Sequence, residues 1–401
     1  MRALRTTFEA ELERRLAELG QAGLLRELRP LERAVDPVVL RDGRPLVNLS
    51  SNNYLGLAGH PAIAAAMHEA LKDGAGATAS RLVAGTDPRV VALEERVAAF
   101  KGTGAALVFG SGYLANVGTL AAVLDRDDAV FSDRLNHASI WDGIRLSRAR
   151  LHRYRHADPE HLRSLLAQPA SREARRRLIV TETVFSMDGD IAPLAEIAAL
   201  AERFDAALVV DDAHGGGVFG ARGEGLAHEA GVADRVDLHV GTFSKAFGVY
   251  GGYVAGSTTW IRYLVTACRP FVYTTALPPP VVAGIDAALD LVAGAGERRR
   301  ALARRADGFR SRIAELGFDS CGSTTQIVPA VVGDSAAAVS LAAALEERGV
   351  LAVPIRPPTV PAGSARIRFS VTAAHTEEQL ERAAVAVADA GRMLPARSRS
   401  A

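Results

Sequence analysis

Lys245 stands in the run Gly-Thr-Phe-Ser-Lys-Ala-Phe-Gly (241–248), downstream of His214 in Val-Val-Asp-Asp-Ala-His-Gly (209–215). Of the 47 Lys and Arg residues only Lys72, Lys101 and Lys245 are lysines, so arginine supplies almost every cation. A lysine retained at 245 points to a task that a guanidinium cannot do. A primary amine condenses with an aldehyde to a Schiff base; arginine, charged at any working pH, does not. Asp211 could hold a pyridine nitrogen protonated, and that cation withdraws electrons from a substrate α-carbon. The pair reads as a site for pyridoxal 5'-phosphate (PLP).

Further candidates follow apolar runs. Gly110-Ser111-Gly112-Tyr113 opens a helix, where free N–H groups and the helix dipole suit a phosphate. The same turn also serves as a plain strand-to-helix connection, and it lacks the third glycine of a dinucleotide fingerprint. His137 in Asn136-His137-Ala138-Ser139 can stack on a pyridine ring or cap a helix. Ser186, in the run 182–190, can bond a phenolic oxygen or serve a turn. His214 can reach that same oxygen. Asp211 and His214 lack a clustered third ligand, so no metal is expected there. Thr242 and Ser244 offer hydroxyls to the phosphate. Each group alone has a bland structural reading; five at successive strand ends share a functional one.

The elements that must position these groups are legible as periodicity. Ala105–Phe109, 129–132, Arg150–Tyr154, 178–181, 207–210, Leu238–Thr242 and 252–255 read as buried strands, mostly too apolar to have a wet face. Helical windows at 87–101, 112–124, 159–168 and 193–204 lie between many of them. This is an α/β pattern with right-handed crossovers, which puts ligands at the carboxyl ends of the strands. Residues 1–29 read as an amphipathic helix ending at Pro30, and 35–49 as a hairpin turning at Arg-Asp-Gly-Arg. After Ala-Leu-Pro-Pro-Pro (276–280) come a long helical stretch (281–316), strands at 327–332, 352–355 and 365–371, and helices at 335–348 and 376–392. The expected division is an N-terminal helix-and-hairpin arm (1–55), a large α/β domain (56–285), a small C-terminal α+β domain (286–394) and a disordered tail (395–401).

Composition bounds the function classes. A chain of 401 residues with 48% hydrophobic and 23% charged residues has ample core for a globular protein. A net charge of +1 gives no electrostatic case for nucleic acid or an anionic membrane. No apolar window of roughly 18 residues suggests a membrane span. The two separated cysteines, Cys268 and Cys321, argue against a disulfide framework or structural zinc, so a reducing cytoplasm is expected. The basic runs 172–177 and 297–305 read as solvated helix surfaces.

Taken as an ordered set, Ser-Asn-Asn-Tyr-Leu-Gly-Leu (51–57), Ser-Gly-Tyr-Leu-Ala-Asn (111–116), Asp-Arg-Leu-Asn-His-Ala-Ser (133–139), Phe-Ser-Met-Asp-Gly-Asp (185–190), Val-Asp-Asp-Ala-His-Gly (210–215) and Gly-Thr-Phe-Ser-Lys (241–245) closely resemble the α-oxoamine synthase family of fold-type I PLP enzymes, over about residues 20–392. The resemblance implies the PLP-dependent transferase fold type I: a mostly parallel central sheet with helices on both faces, plus the smaller C-terminal α+β domain. It implies that Lys245 carries PLP as a Schiff base, Asp211 pairs with the pyridine nitrogen and His137 stacks on the ring. Ser186 and His214 would contact the phenolic oxygen, and Gly112, Tyr113, Thr242 and Ser244 the phosphate. Thr274 or Thr275 would reach the phosphate of a second subunit in a homodimer with shared sites. Arg368 would bind the amino-acid carboxylate with Asn52 nearby, and Arg26, Arg356 and Thr359 would serve the acyl side.

The run 355–369 most resembles the branch of the family that joins L-alanine to a pimeloyl thioester, on CoA or a carrier protein, with loss of CO2. Two departures bear on the acyl path. The usual Gly-Ser-Gly-Gly-Ser-Arg loop reads Gly-Ala-Gly-Ala-Thr-Ala-Ser-Arg (74–81), and His-Gly-Thr-Gly reads His214-Gly-Gly-Gly. The competing readings are a sister synthase taking glycine or serine, aminotransfer on the same fold, and a scaffold protein that has lost catalysis. The presence of Lys245, Asp211 and His137 together counts against the last.

Overall fold

The architecture comes from a computed structural model, which describes residues 7–392; the expected tail lies outside them. Among the described residues thirteen strands are formed: β1 (Val38–Arg41), β2 (Arg44–Asn48), β3 (Ala105–Phe109), β4 (Ala129–Asp133), β5 (Arg150–Tyr154), β6 (Arg177–Glu182), β7 (Ala206–Asp211), β8 (Leu238–Thr242), β9 (Gly252–Gly256), β10 (Ile327–Gly333), β11 (Val350–Leu351), β12 (Val353–Ile355) and β13 (Ala365–Ser370). Seven make the main sheet in the order β3-β9-β8-β7-β6-β4-β5. All its pairings are parallel except those of β9, which runs antiparallel to β3 and β8.

Alternation along these strands explains why the sheet is covered twice. Val108, Phe131, Ile179, Leu208 and Val210 enter one apolar cluster with Val90, Leu93, Ile197 and Ile285 of helices Pro88–Lys101, Leu194–Arg203 and Pro279–Ala293. Their neighbours Leu107, Val130, Leu178, Val180 and Val209 enter another with Ala115, Leu120, Ile140, Ile144 and Leu264 of helices Gly112–Val123, Ala138–Ser147 and Thr258–Ala267. Successive strand residues point to opposite faces, so a run without polar residues must be buried on both.

The C-terminal part builds a separate antiparallel sheet, β10-β13-β12. The expected strand 352–355 is found as β12, paired with β13, and a further two-residue strand, β11, precedes Ala352 and pairs with β2. The N-terminal hairpin is thus one sheet with a C-terminal segment. Its two-residue turn holds Asp42 and Gly43 at positive φ (51° and 74°), the geometry of a tight hairpin connection.

Three expectations change. Within the described residues the first helix runs Thr7–Gln21 and ends well before 29, because Gly23 turns left-handed (φ 64°) and no later residue resumes the ladder; residues 1–6 of the expected helix lie outside the described residues. The stretch 281–316 is two helices, Pro279–Ala293 and Gly296–Glu315, bent by 74° at Gly294-Ala295. The basic run 172–177 is more than a solvated face: Arg175 and Arg176, each half exposed, converge on the buried Asp128 at 3.1 and 2.7 Å. Burial opposes ionisation of Asp128, but the two guanidiniums outweigh it and hold its pKa at about 2. Among the described residues no single helix is long and apolar enough to cross a membrane.

Candidate active site

Five strands and the loops that leave them supply the site. Lys245 follows β8, and Asp211 ends β7 with His214 three residues later. Ser186 follows β6, His137 follows β4, and Gly112 follows β3. The sixth contribution comes from β13, which carries Arg368. A cavity of about 300 Å³ is lined by Ser50, Asn52, His137, Ser186, Met187, His214, Lys245, Val353, Ile355 and Arg368.

Lys245 Nζ lies 2.9 Å from His214 Nε2. Burial pulls the Lys245 pKa down, Arg368 adds to that, and Asp211 and Glu182 oppose it; the result is about 8. A fraction of the amine is therefore neutral at physiological pH. Burial also pushes the His214 pKa well down, helped by Lys245 and Arg368. With His214 neutral and the ammonium able only to donate, the imidazole proton belongs on Nδ1. Nδ1 then donates to Tyr54 Oη at 2.7 Å, and Tyr54 donates to Asn52 Oδ1 at 3.0 Å. Asn52 Oδ1 also accepts from both terminal nitrogens of Arg368 at 3.2 Å. Arg368 is further held by Ser370 Oγ at 2.8 Å and by the Ser186 carbonyl. A guanidinium so constrained presents a fixed fork to a carboxylate.

Asp211 accepts from Asn116 Nδ2 at 2.6 Å and from the Ala213 N–H at 2.9 Å. His137 caps helix Ala138–Ser147: its Nδ1 accepts from the Ser139 N–H at 3.3 Å and lies 2.8 Å from Ser139 Oγ. Capping and a place on the cavity wall are thus both true of this residue. Burial lowers its pKa against the pull of Asp211, leaving a neutral ring.

At the other end, Ser111 caps helix Gly112–Val123, accepting from Leu114 N at 3.2 Å. Thr242 and Ser244 hydroxyls lie 3.0 Å apart and share the Gly251 carbonyl at 2.8 and 3.2 Å. A Cβ on Gly252 would stand 2.5 Å from Gly112 N, so glycine is required for β9 to approach this turn. The Tyr113 hydroxyl is engaged with Asp142 at 2.6 Å, which leaves Tyr113 its backbone N–H for a phosphate. The residues fit PLP: an amine of lowered pKa, a carboxylate fixed by two donors, and a glycine-lined helix N-terminus flanked by hydroxyls.

The acyl-side candidates do not converge on the cavity. Arg26 and Thr359 are exposed, Arg356 donates to the Gly23 carbonyl, and none of the three lines the space around Lys245, although Ile355 does. Thr274 and Thr275 border a separate small cavity with Arg81, Phe109 and Gly110, next to the phosphate turn. The altered loop 74–81 ends in Arg81, which forks onto Glu94 at 2.7 and 2.9 Å.

Sequence reasoning left Tyr54, Asn116, Glu182 and Met187 without roles. Tyr54 could have been found from its spacing to Asn52 in the Ser-Asn-Asn-Tyr run. Glu182 ends β6 as Asp211 ends β7, and the two are register partners.

The family model for aminotransferase class I and II matches residues 44–387. The 8-amino-7-oxononanoate synthase of Anaeromyxobacter dehalogenans is 52% identical over 93% of this chain and 92% of its own. The Sphingomonas wittichii serine palmitoyltransferase structure superposes with a TM-score of 0.89 at 34% identity, covering 98% of this chain and all of that one. A variant serine palmitoyltransferase from S. paucimobilis with PLP and myriocin bound gives 0.90 at 32% identity, over 98% and 99%. The chain belongs to the aminotransferase class I and II family, and within it to the PLP-dependent α-oxoamine synthases.

Proposed function

We infer that this chain condenses L-alanine with a pimeloyl thioester, on CoA or a carrier protein, to give 8-amino-7-oxononanoate, CO2 and the free thiol, a step of biotin biosynthesis. The observation that carries the reading is the Lys245–His214–Tyr54 line running to Arg368 in a chain half-identical to synthases of that name.

Lys245 would hold PLP through Nζ, with Asp211 at the pyridine nitrogen, Gly112, Tyr113, Thr242 and Ser244 at the phosphate, and Ser186 and His214 at the phenolic oxygen. Bound PLP supplies an electron-withdrawing ring beside the amino-acid α-carbon. Everything else falls to the protein. Arg368, steadied by Asn52 and Ser370, receives the alanine carboxylate and so sets which α-bond faces the amine. Lys245 Nζ, with its pKa near 8, can take the α-proton as a neutral amine and return one at the end. Neutral His214 accepts a hydrogen bond from it without competing for charge. His137, on the cavity wall, would stack on the ring.

The acyl chain would enter past Val353 and Ile355 toward Arg356 and Thr359, with Arg26 beyond. We read residues 56–285 as the cofactor-binding domain and 286–394 as the small domain, with the hairpin docked on the latter through β2 and β11. Phe8, Leu12, Leu16 and Leu19 form an exposed apolar row on the first helix, and Leu82, Val83 and Tyr273 are also exposed. These surfaces support a homodimer, in which Thr274 or Thr275 would serve the neighbouring phosphate, working in the cytoplasm.

Product mass analysis tests the assignment. The holoenzyme is incubated with alanine, glycine or serine against thioesters of graded length. Alanine with the pimeloyl thioester should dominate; preference for glycine or serine, or build-up of the amine form of the cofactor, would replace this reading.

A further inference from the structure

Glu182 is an ionisable side chain that the reaction above does not use, yet it is buried in the wall of the site. It is 2% exposed, and its Oε1 has no partner. It ends β6 in register with Asp211 on β7, so two carboxylates stand side by side on one face of adjacent parallel strands. Its Oε2 accepts the Ser186 N–H at 3.2 Å, which ties down the turn bearing that serine. Its own N–H donates to Asn136 Oδ1 at 3.0 Å, the residue before His137. Asn136 in turn bonds Ser132 Oγ and the Val180 carbonyl at 2.8 and 2.9 Å, locking β4 to β6 at this level.

We propose that Glu182 is a positioning residue of this site: its side chain fixes the turn bearing Ser186 at the shoulder of Asp211, while its backbone N–H holds Asn136, the residue before His137. The inference rests on the PLP reading. Two anions cannot share a dry site cheaply, and Asp211 is the one with two strong donors. Burial, then the neighbouring Asp211, drives the Glu182 pKa well up. Glu182 therefore works as the neutral acid, with Oε2 accepting and Oε1–H free to donate. Asp211 is left as the only charge facing the pyridine nitrogen, which keeps that carboxylate's full field on the cofactor.

Glu182→Gln and Glu182→Asp separate this from a generic packing role. Glutamine reproduces a neutral acid in shape, with its carbonyl for Ser186 and its amide in place of Oε1–H. Aspartate keeps the acid but is one methylene too short to reach. In the holoenzyme, PLP affinity and the pH midpoint of the visible absorbance of bound PLP are measured. E182Q should keep wild-type affinity within about twofold and leave the midpoint in place. E182D should weaken PLP binding about 10- to 100-fold, as loss of a supporting residue does. A midpoint moved by a full pH unit in E182Q would mean Glu182 is charged, and wild-type PLP affinity in E182D would mean it positions nothing; either overturns the proposal. If the wild-type protein itself takes up no PLP, the functional reading fails instead.

Discussion

Lys101→Met separates the two buried tasks that lysine performs in this chain. Lys101 Nζ lies 3.3 Å from Asp212 Oδ2, with both side chains fully buried, and it also donates to the Glu224 carbonyl. Asp212 Oδ1 accepts from Thr183 Oγ1 at 2.7 Å and Leu226 N at 3.3 Å, so the pair joins helix Pro88–Lys101 to the end of β7. At that separation and an effective dielectric of about 20, the attraction is about 5 kcal/mol before desolvation is set against it. Removing one partner strands the other charge, which costs about 3–5 kcal/mol. With an unfolding entropy of about 2.1 cal/mol/K per residue, a chain of this length loses about 4–6 °C in Tm. Calorimetry of Lys101→Met, Asp212→Asn and the double variant tests the reasoning. The double variant should lose less than the sum of the singles, because each removes the charge that the other leaves unpaired. A Lys101→Met Tm within 1 °C of wild type, or strictly additive losses, would refute the account of this pair.

Lys245→Ala should abolish turnover and the borohydride-stable PLP adduct, read by peptide mapping, while leaving the cofactor-free protein folded. Arg368→Lys should cut kcat/KM for alanine at least about tenfold, because a point charge cannot reproduce the bidentate fork; unchanged kinetics would remove Arg368 from the carboxylate site. His156 bridges Asp133 at 3.0 Å and Asp190 at 2.8 Å. Burial opposes its protonation, but the two carboxylates prevail and hold its pKa at about 10. Since the folded pKa exceeds the ordinary value near 6.5, its stabilisation is complete below about pH 6.5 and lost as pH rises through about 10. The Tm gap between wild type and His156→Gln should therefore narrow over that range, and a constant gap would contradict the bridge.

The main sheet was legible because its strands, the edge strand β5 excepted, are buried on both faces and carry mostly apolar residues. The site was legible because Lys245, His214, Asp211, Ser186, His137 and Gly112 each follow such a strand. Scarcity of lysine was a weaker guide than it looked: Lys101 shares it, and there the amine serves an internal ion pair. Arg368 was reached through resemblance, since nothing in its local pattern, Ala-Arg-Ile-Arg-Phe, says which arginine faces the cavity. Tyr54 went unassigned because its partners lie far along the chain, and Glu182 because its place beside Asp211 depends on the register of two strands. The break at Gly294-Ala295 was hidden by helical residues on both sides, and β11 by its length of two residues.

The pocket proposed for the amino acid joins residues far apart along the chain: Asn52 and Tyr54 on one side, Arg368 and Ser370 on the other, with β2 and β11 stitched together beside them. During translation Lys245 and Asp211 leave the ribosome well before Arg368 does. A nascent or prematurely terminated chain therefore owns a reactive amine but no device for choosing its substrate. Selectivity arrives after reactivity, with the later strand β13.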